Sequence, residues 1–395
     1  VFNKKTVRDI NVAGKRVLVR VDYNVPLEKG EVADDTRIRA TLPTIRYLRE
    51  KGAKIILVTH LGRPGGKVVP DLRLDPVAEA LSRLLGVDVK KVDETVDGQA
   101  REAVENLEEG EVLLLENIRF NCEEKANDIE FAQKLASLAD VFVNDAFGSA
   151  HRAHASTVGV PRYLPAVAGF LMEKELIQLS NLLENPQRPF YAVLGGNKVS
   201  TKIGVIKRFL QIVETIFLGG GMCFTFLKAK GYSVGNSIVQ EDFLEEATCI
   251  LKRVENDETK LKLPVDVVVS QEINSQAEWK VVPVDSIPDG WMGLDIGPQT
   301  IASYQETLGD ASTIFWNGPM GVFEIEAFAT GTKAIAETLA ESKATTIVGG
   351  GDSDAALRKF NLEGKVTFIS TGGGACLKFL EGVELPGLEV LENRD

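Results

Sequence analysis

Two sets of residues in this sequence could do chemistry, and each set recurs at one kind of place, just beyond a short apolar run. The first set is cationic. Apolar runs lead into Asp22-Tyr23-Asn24, His60-Leu61-Gly62-Arg63, Glu116-Asn117-Ile118-Arg119 and the segment Asn144–Arg152. The three histidines, His60, His151 and His154, belong to these turns, and Arg20, Arg37, Arg63, Arg119 and Arg152 lie beside them. The chain carries a formal charge of -12, so this gathering of cations is not what a random surface would give. Guanidinium forks bind carboxylate and phosphate oxygens bidentately. The set points to a site for a small dianion or trianion, with Asp22 and Asn24 accepting from a hydroxyl. Salt bridges that cap loops are the competing reading, above all for any single arginine.

The second set is glycine-rich: Gly195-Gly196-Asn197-Lys198, Gly219–Gly221, Gly318-Pro319-Met320-Gly321, Gly349-Gly350-Gly351-Asp352-Ser353 and Gly372–Gly374. Glycine lets backbone approach a ligand closely, and helix N-termini offer free N–H groups to phosphate. Turns use glycine without any ligand. Five such turns with Lys198, Lys202 and Asp352 among them suggest a nucleotide triphosphate site, with Asp352 near a divalent ion. No Gly-x-x-x-x-Gly-Lys-Ser/Thr occurs, and no Gly-x-Gly-x-x-Gly follows a strand, which argues against P-loop and dinucleotide-dehydrogenase chemistry. A kinase acting on a hydroxyl needs a carboxylate base. The cationic half offers few, whereas a carboxylate nucleophile is already ionised and needs none. Acyl-phosphate chemistry is favoured, with Asp22 and Asp145 left as possible bases.

These residues need elements to hold them. Runs such as Val17–Val21, Ile55–Val58, Val112–Leu115, Val141–Val143, Tyr191–Leu194, Thr215–Leu218, Val265–Val269, Thr313–Trp316, Thr345–Val348 and Val366–Ile369 are apolar throughout, as suits strands buried on both faces of a parallel sheet. Amphipathic stretches separate them. Asp75-Pro76-Val77 reads as a helix start with Asp as N-cap, and Ile129–Ala139 and Thr332–Leu339 read as helices. Leu164–Leu183 reads as one long helix that Asn185-Pro186-Gln187-Arg188-Pro189 stops. With 395 residues, the expectation is an α/β chain of two Rossmann-like, doubly wound parallel-sheet domains flanking a cleft, 1–185 and 186–379. The acidic charge disfavours nucleic acid and anionic lipid as partners. No apolar run approaches the length of a membrane span, the N-terminal residues lack a signal-peptide core, and Cys122, Cys223, Cys249 and Cys376 show no metal-ligand spacing. A cytoplasmic location is expected.

The segment Val19-Arg20-Val21-Asp22-Tyr23-Asn24-Val25-Pro26 resembles the signature of phosphoglycerate kinases, as do His60–Arg63, Glu116–Phe120, Phe147–Ser156, Gly195–Lys202, Trp316–Glu324, Gly349–Ser353 and Ser370–Ala375. The resemblance runs in order from about residue 5 to 388. It implies ATP + 3-phosphoglycerate ⇌ ADP + 1,3-bisphosphoglycerate with Mg²⁺, by direct in-line transfer after domain closure in a monomer. It also implies that residues 380–395 return to pack on the first domain. On it, Asp22, Asn24, Arg37, His60, Arg63, Arg119 and Arg152 hold 3-phosphoglycerate, and Arg20, His151 and His154 complete the basic patch. Arg37, Lys198, Gly373 and Gly374 are the catalytic set. Lys202 meets nucleotide phosphates, Asp352 holds Mg²⁺ and Glu324 the ribose. Gly196, Gly220, Gly293, Asn317, Pro319, Gly321, Val322, Gly350, Gly351 and Ser353 complete the nucleotide site. The sequence departs from the family pattern at Tyr23, Asn197, Asp354, Cys376 and Lys378, none of which removes a motif cation. Another small-acid kinase, or a nucleotide-binding protein without turnover, are the rival readings.

Overall fold

The computed structural model describes residues 3–257 and 260–394. Its contacts divide the chain into two units, 1–180 with 384–395, and 181–383.

In the first unit, β1 (Arg16–Val21) is followed by a small hairpin, β2 (Leu27–Glu28) with β3 (Glu31–Val32), and then by α1 (Thr36–Glu50). The chain continues as β4 (Lys54–Val58), α2 (Asp75–Leu85), β5 (Val89–Lys91), α3 (Gly98–Glu105), β6 (Val112–Leu114), α4 (Cys122–Ala126), α5 (Ile129–Ala136), β7 (Val141–Asp145), β8 (Ala166–Ala168) and α6 (Phe170–Glu184). A six-stranded sheet takes the order β5-β6-β4-β1-β7-β8, every neighbouring pair parallel. Its core gathers Val17, Val19 and Val21 of β1 with Leu42 and Ile45 of α1 and Val77 and Leu81 of α2. The chain leaves β1 towards β4 and leaves β7 the opposite way, towards β8. The order therefore reverses between β1 and β7, where open α/β sheets bind ligands. Arg20 pairs with Asn144 and Val21 with Asp145 across that point.

The second unit repeats the plan. Its strands are β9 (Phe190–Leu194), β10 (Thr215–Leu218), β11 (Leu261–Lys262), β12 (Asp266–Ser270), β13 (Trp279–Pro283), β14 (Met292–Ile296), β15 (Thr313–Asn317), β16 (Thr345–Gly349) and β17 (Phe368–Ser370). The helices are α7 (Ile203–Phe209), α8 (Cys223–Ala229), α9 (Leu244–Arg253), α10 (Pro298–Leu308), α11 (Thr330–Glu341), α12 (Gly351–Lys359) and α13 (Gly374–Glu381). The main sheet runs β11-β10-β9-β15-β16-β17, again all parallel, so its reversal lies between β9 and β15. Leu194 pairs with Asn317 there. Trp316, Phe217 and Tyr304 anchor the core, and the Tyr304 hydroxyl donates to Leu218 O at 2.8 Å. After α13 the chain returns to the first unit. There α14 (Pro386–Glu389) brings Gly387 against β7's end: Gly387 N donates to Ala150 O at 2.9 Å, and Asn144 Nδ2 donates to Gly387 O at 2.8 Å. A Cβ on Gly387 would stand 3.1 Å from Ala150 Cα, which is why glycine serves at this approach. No described helix is long and apolar enough to cross a membrane.

Three expectations are corrected. Val265–Val269 forms no part of the parallel sheet; β12 is the centre of a three-stranded antiparallel sheet, β13-β12-β14. The short links from β12 to β13 and from β13 to β14 leave no room for a parallel crossover. The run Leu164–Leu183 is not one helix. Ala166–Ala168 pairs with β7 as a strand, too short to interrupt the apolar pattern, and α6 begins at Phe170. Asp75 is not an N-cap: Leu74 holds that position, and the Asp75 carboxylate pairs with Lys91 at 3.1 Å.

Candidate active site

At the reversal of the first sheet, charge is layered. Arg20 points inward from β1 and is 1% exposed. Its Nε donates to Ser156 Oγ at 2.9 Å, its Nη1 to Val21 O, and its Nη2 to His60 Nδ1 at 3.2 Å. Asp22 follows β1, with Oδ2 3.4 Å from Arg37 Nη1 and Oδ1 3.7 Å from His60 Nδ1. Burial works to raise the Asp22 carboxyl, but the charges of Arg37 and Arg20, joined by that of His60 only when the ring is protonated, hold it below its ordinary value. Arg119 reaches Gly62 O with Nη1 at 2.9 Å. Burial, then Arg152 and Arg20, bring its pKa down to about 10. Arg152 Nε donates to His151 Nε2 at 3.2 Å. Three polar atoms in this cluster are buried without a hydrogen bond, Asp22 Oδ1, Arg119 Nε and His151 Nδ1. Such orphans are costly unless a ligand satisfies them.

The local sequence explains how these groups are held. Glu116 Oε1 accepts from Leu74 N at 3.1 Å and Asn117 N at 2.8 Å, and Asn117 Nδ2 donates to Leu61 O and Leu72 O. That clamp fixes the His60–Arg63 loop onto which Arg119 folds. Glu116 also joins Asp75 and Asp93 in a group with metal-like spacing, but Lys91 and Arg73, each 2.9 Å from Glu116 Oε2, already balance it.

At the reversal of the second sheet, three glycine turns are knitted by backbone. Gly195 N donates to Asn317 O at 2.9 Å, Gly196 N to Pro319 O at 2.7 Å, Gly220 N to Met320 O at 2.9 Å, and Met222 N to Gly196 O at 2.9 Å. Gly318 has φ +93°, and its N–H donates to Ser353 Oγ at 2.7 Å. Asn317 Nδ2 donates to Gly349 O at 2.7 Å. Lys202 is buried beside these turns: a Cβ on Gly196 would lie 3.4 Å from its Nζ. Burial, opposed by Asp352, brings the Lys202 pKa down to about 8. Asp352 is exposed in the first turn of α12 and has no ion-pair partner among the described residues. Lys198 is exposed and equally unpaired. Gly373 caps α13 at φ +44°, and Gly374 opens it.

Several expected residues sit differently from their sequence reading. Arg20 is buried behind His60, so only that ring and the charge's field could carry its influence to a ligand. Asn24 spends Oδ1 on Gly62 N at 2.8 Å, leaving its amide N–H groups, not its oxygen, for a ligand. His60 and His151 add little positive charge: burial lowers His151, and lowers His60 well below its ordinary value, with nearby arginines adding to both shifts. Arg63 is exposed and makes no hydrogen bond or ion pair among the described residues. Asn317 and Ser353 brace the glycine turns. A Cβ on Gly293 would overlap the Phe224 ring, so packing alone demands that glycine. Gly321 N shares Thr332 Oγ1 with Met320 N, Val322 N donates to Leu294 O at 2.8 Å, and the Glu324 carbonyl accepts from Lys359 Nζ at 3.1 Å. Gly350, at φ +93°, caps α12, and Gly351 opens it. The sequence reading missed Thr332, Glu124 and Asp295. Asp295 accepts from Gly331 N and Ile296 N, and burial raises its pKa to about 8. The departures are quiet: Cys376 is buried, Lys378 pairs with Glu381 at 2.7 Å, and Asp354 with Arg358.

A unit suited to a small anion and a unit suited to a polyphosphate define a class, the phosphotransferases that move a phosphoryl group between a nucleotide and a small acid. The sequence profile of the phosphoglycerate kinase family matches residues 7–383. The chain is 57% identical over 388 residues to the phosphoglycerate kinase of Pelotomaculum thermopropionicum, covering 98% of this chain and 99% of that one. It is 55% identical over 394 residues to that of Rubrobacter xylanophilus, covering both chains fully at 100%. The solved phosphoglycerate kinase of Coxiella burnetii superposes with TM-score 0.86 at 43% identity, covering 98% of each chain. The chain belongs to the phosphoglycerate kinase family. It is accordingly a glycolytic kinase, a phosphotransferase with a carboxyl group as acceptor.

Proposed function

We propose that the β1/β7 reversal holds 3-phosphoglycerate or 1,3-bisphosphoglycerate and the β9/β15 reversal holds ADP or ATP with Mg²⁺. The observation that carries the acceptor assignment is two of these buried orphans. Asp22 Oδ1 is an acceptor awaiting a hydroxyl, and Arg119 Nε is a donor awaiting an oxyanion. A hydroxy acid bearing a phosphate supplies both, and exposed Arg63 adds a mobile fork for the phosphate. On the nucleotide side, Lys202 and the N–H groups opening α12 and α13 suit phosphate oxygens. The unpaired Asp352 carboxylate is a hard oxygen donor of the kind Mg²⁺ takes singly while keeping phosphate and water ligands. When bound, the ion neutralises charge on the phosphates.

The acceptor carboxylate needs no base. The chain's own contribution is to place it and to steady the charge on the phosphoryl group, with Arg37 and Lys198 as the cations in transit and the Gly373–Gly374 amides as donors. In-line transfer requires the reacting atoms within about 3–3.5 Å, so the reading includes closure of the two units when both substrates are bound. It also includes a monomer in the cytoplasm, with no nucleic-acid or membrane partner. The test is calorimetric. Arg119→Gln is expected to weaken 3-phosphoglycerate binding by about 10²-fold, as for loss of a buried charged contact, and to leave ADP binding within about twofold. Unchanged 3-phosphoglycerate binding would remove Arg119 and its cluster from the acceptor site.

A further inference from the structure

Behind the Arg20–His60 pair lies a carboxylate that touches no ligand-facing surface. Glu124, in α4, is fully buried. Its Oε2 accepts from Ser156 N at 2.8 Å, its Oε1 from Ser156 Oγ at 2.7 Å, and its Oε1 lies 3.6 Å from His154 Nδ1. Because the Ser156 hydroxyl proton goes to Glu124, its lone pairs are free to accept from Arg20 Nε at 2.9 Å. Among the described residues no carboxylate lies within ion-pair distance of Arg20. The nearest counter-charge through bonds is Glu124, one hydroxyl away. Arg20 in turn donates to His60, which faces Asp22. A directed chain thus runs from Glu124 through Ser156 and Arg20 to the ring that borders the acceptor site, with a branch to His154.

We propose that Glu124 is a positioning residue for the acceptor. Its carboxylate orients the Ser156 hydroxyl, and through it the Arg20 fork and the His60 and His154 rings, so that the acceptor meets a preformed set of donors. The idea rests on the proposed assignment of this cluster to 3-phosphoglycerate. A buried hydrogen-bonded chain of this kind is satisfied only as a whole. Glu124→Gln would present an N–H group to one of the two Ser156 donors, so the hydroxyl loses the charged acceptor that orients it and the lone pair that meets Arg20 is no longer held in place. Arg20 would then be a buried cation without its main counter-charge.

The experiment is steady-state kinetics on the full chain with Glu124→Gln, Ser156→Ala, both together, and Arg63→Ala as control. Each single variant of the chain is expected to raise KM for 3-phosphoglycerate about tenfold, with KM for ATP within twofold and the change falling on KM more than on kcat. The double variant should resemble the worse single variant, because both cuts break one chain. Arg63→Ala should raise the same KM without involving the chain. If Arg63→Ala raises KM for 3-phosphoglycerate and neither chain variant does, Glu124 is not a positioning residue, although the site assignment stands. If none of the variants moves it, the assignment itself fails. A rise in KM for ATP in step with that for 3-phosphoglycerate, or effects of the two cuts that multiply, would also overturn the proposal. Should Glu124→Gln fail to fold, Ser156→Ala, which removes one hydroxyl, decides alone.

Discussion

On the proposed nucleotide assignment, Lys202 should stabilise a bound nucleotide at the expense of the unliganded fold, and the two effects separate in one variant. Its ammonium is buried, and its pKa stands at about 8 against an ordinary 10.5. Below pH 8 both the folded and unfolded chains carry the proton, and the folded state bears the full cost of burying the charge. The distance from 10.5 to about 8 makes that cost roughly 3 kcal/mol. As pH rises from about 8 to 10.5 the folded state releases the proton first, so the cost declines, and it is absent above 10.5. Lys202→Met keeps the apolar stem and removes the charge. It should stabilise the second unit by about 3 kcal/mol near pH 7 and by little near pH 10. The same variant should bind ATP roughly 10–100-fold more weakly, the worth of one charged hydrogen bond. The three tryptophans, Trp279, Trp291 and Trp316, all lie in the second unit, so their fluorescence during urea unfolding reports that unit. A variant that is less stable at pH 7, or a stability difference equal at pH 7 and pH 10, would refute the reasoning.

Other outcomes follow from the same geometry. Lys198→Ala should lower kcat by roughly 10²–10³-fold and leave both substrates bound within a few-fold, since an exposed, unpaired ammonium has no ground-state partner to lose; near-normal turnover would exclude it from transfer. The pair Cys376→Ser with Lys378→Glu should change turnover by less than about tenfold, because Cys376 is buried and Lys378 is engaged with Glu381. Coupled assays of the double variant check this. Asp295, raised from 3.8 to about 8 by burial, keeps a proton that the unfolded chain loses, so the second unit should lose stability as pH rises from about 4 to 8. Asp295→Asn should flatten that window in urea titrations, and an unchanged slope would show that the carboxyl is ionised throughout.

Much of the fold was legible because parallel strands buried on both faces write themselves as unbroken apolar runs, as at Val17–Val21 and Thr313–Trp316. What failed to show were elements that break this rule. Ala166–Ala168 is too short to stand out from the helix after it, and Trp279–Pro283 is an exposed edge. The apolar run at β12 looks like a parallel strand because burial, not partner direction, sets its composition. Most of the candidate site's cations and glycines were visible because they follow a strand end, where topology puts ligands, although Arg20 lies within β1 and Arg37 within α1. Their supports were not. Glu124 stands beside exposed Glu123 with nothing in the local pattern to separate them, and the roles of Thr332 and Ser353 depend on turns brought together from distant parts of the chain. Sequence also cannot show that burial strips His60 of its charge, or that Gly62 occupies the oxygen of Asn24.

The central claim is that the arginine cluster of the first unit selects an acid by its phosphate as well as its carboxylate. It is tested most directly by measuring ATP consumption in a coupled assay with 3-phosphoglycerate and, in parallel, with glycerate, which has the same carboxylate and hydroxyl but no phosphate. Loss of the charged contacts to the phosphate should lower kcat/KM for glycerate by at least about 10²-fold. Comparable turnover with the two acids, or none with 3-phosphoglycerate, would contradict the account.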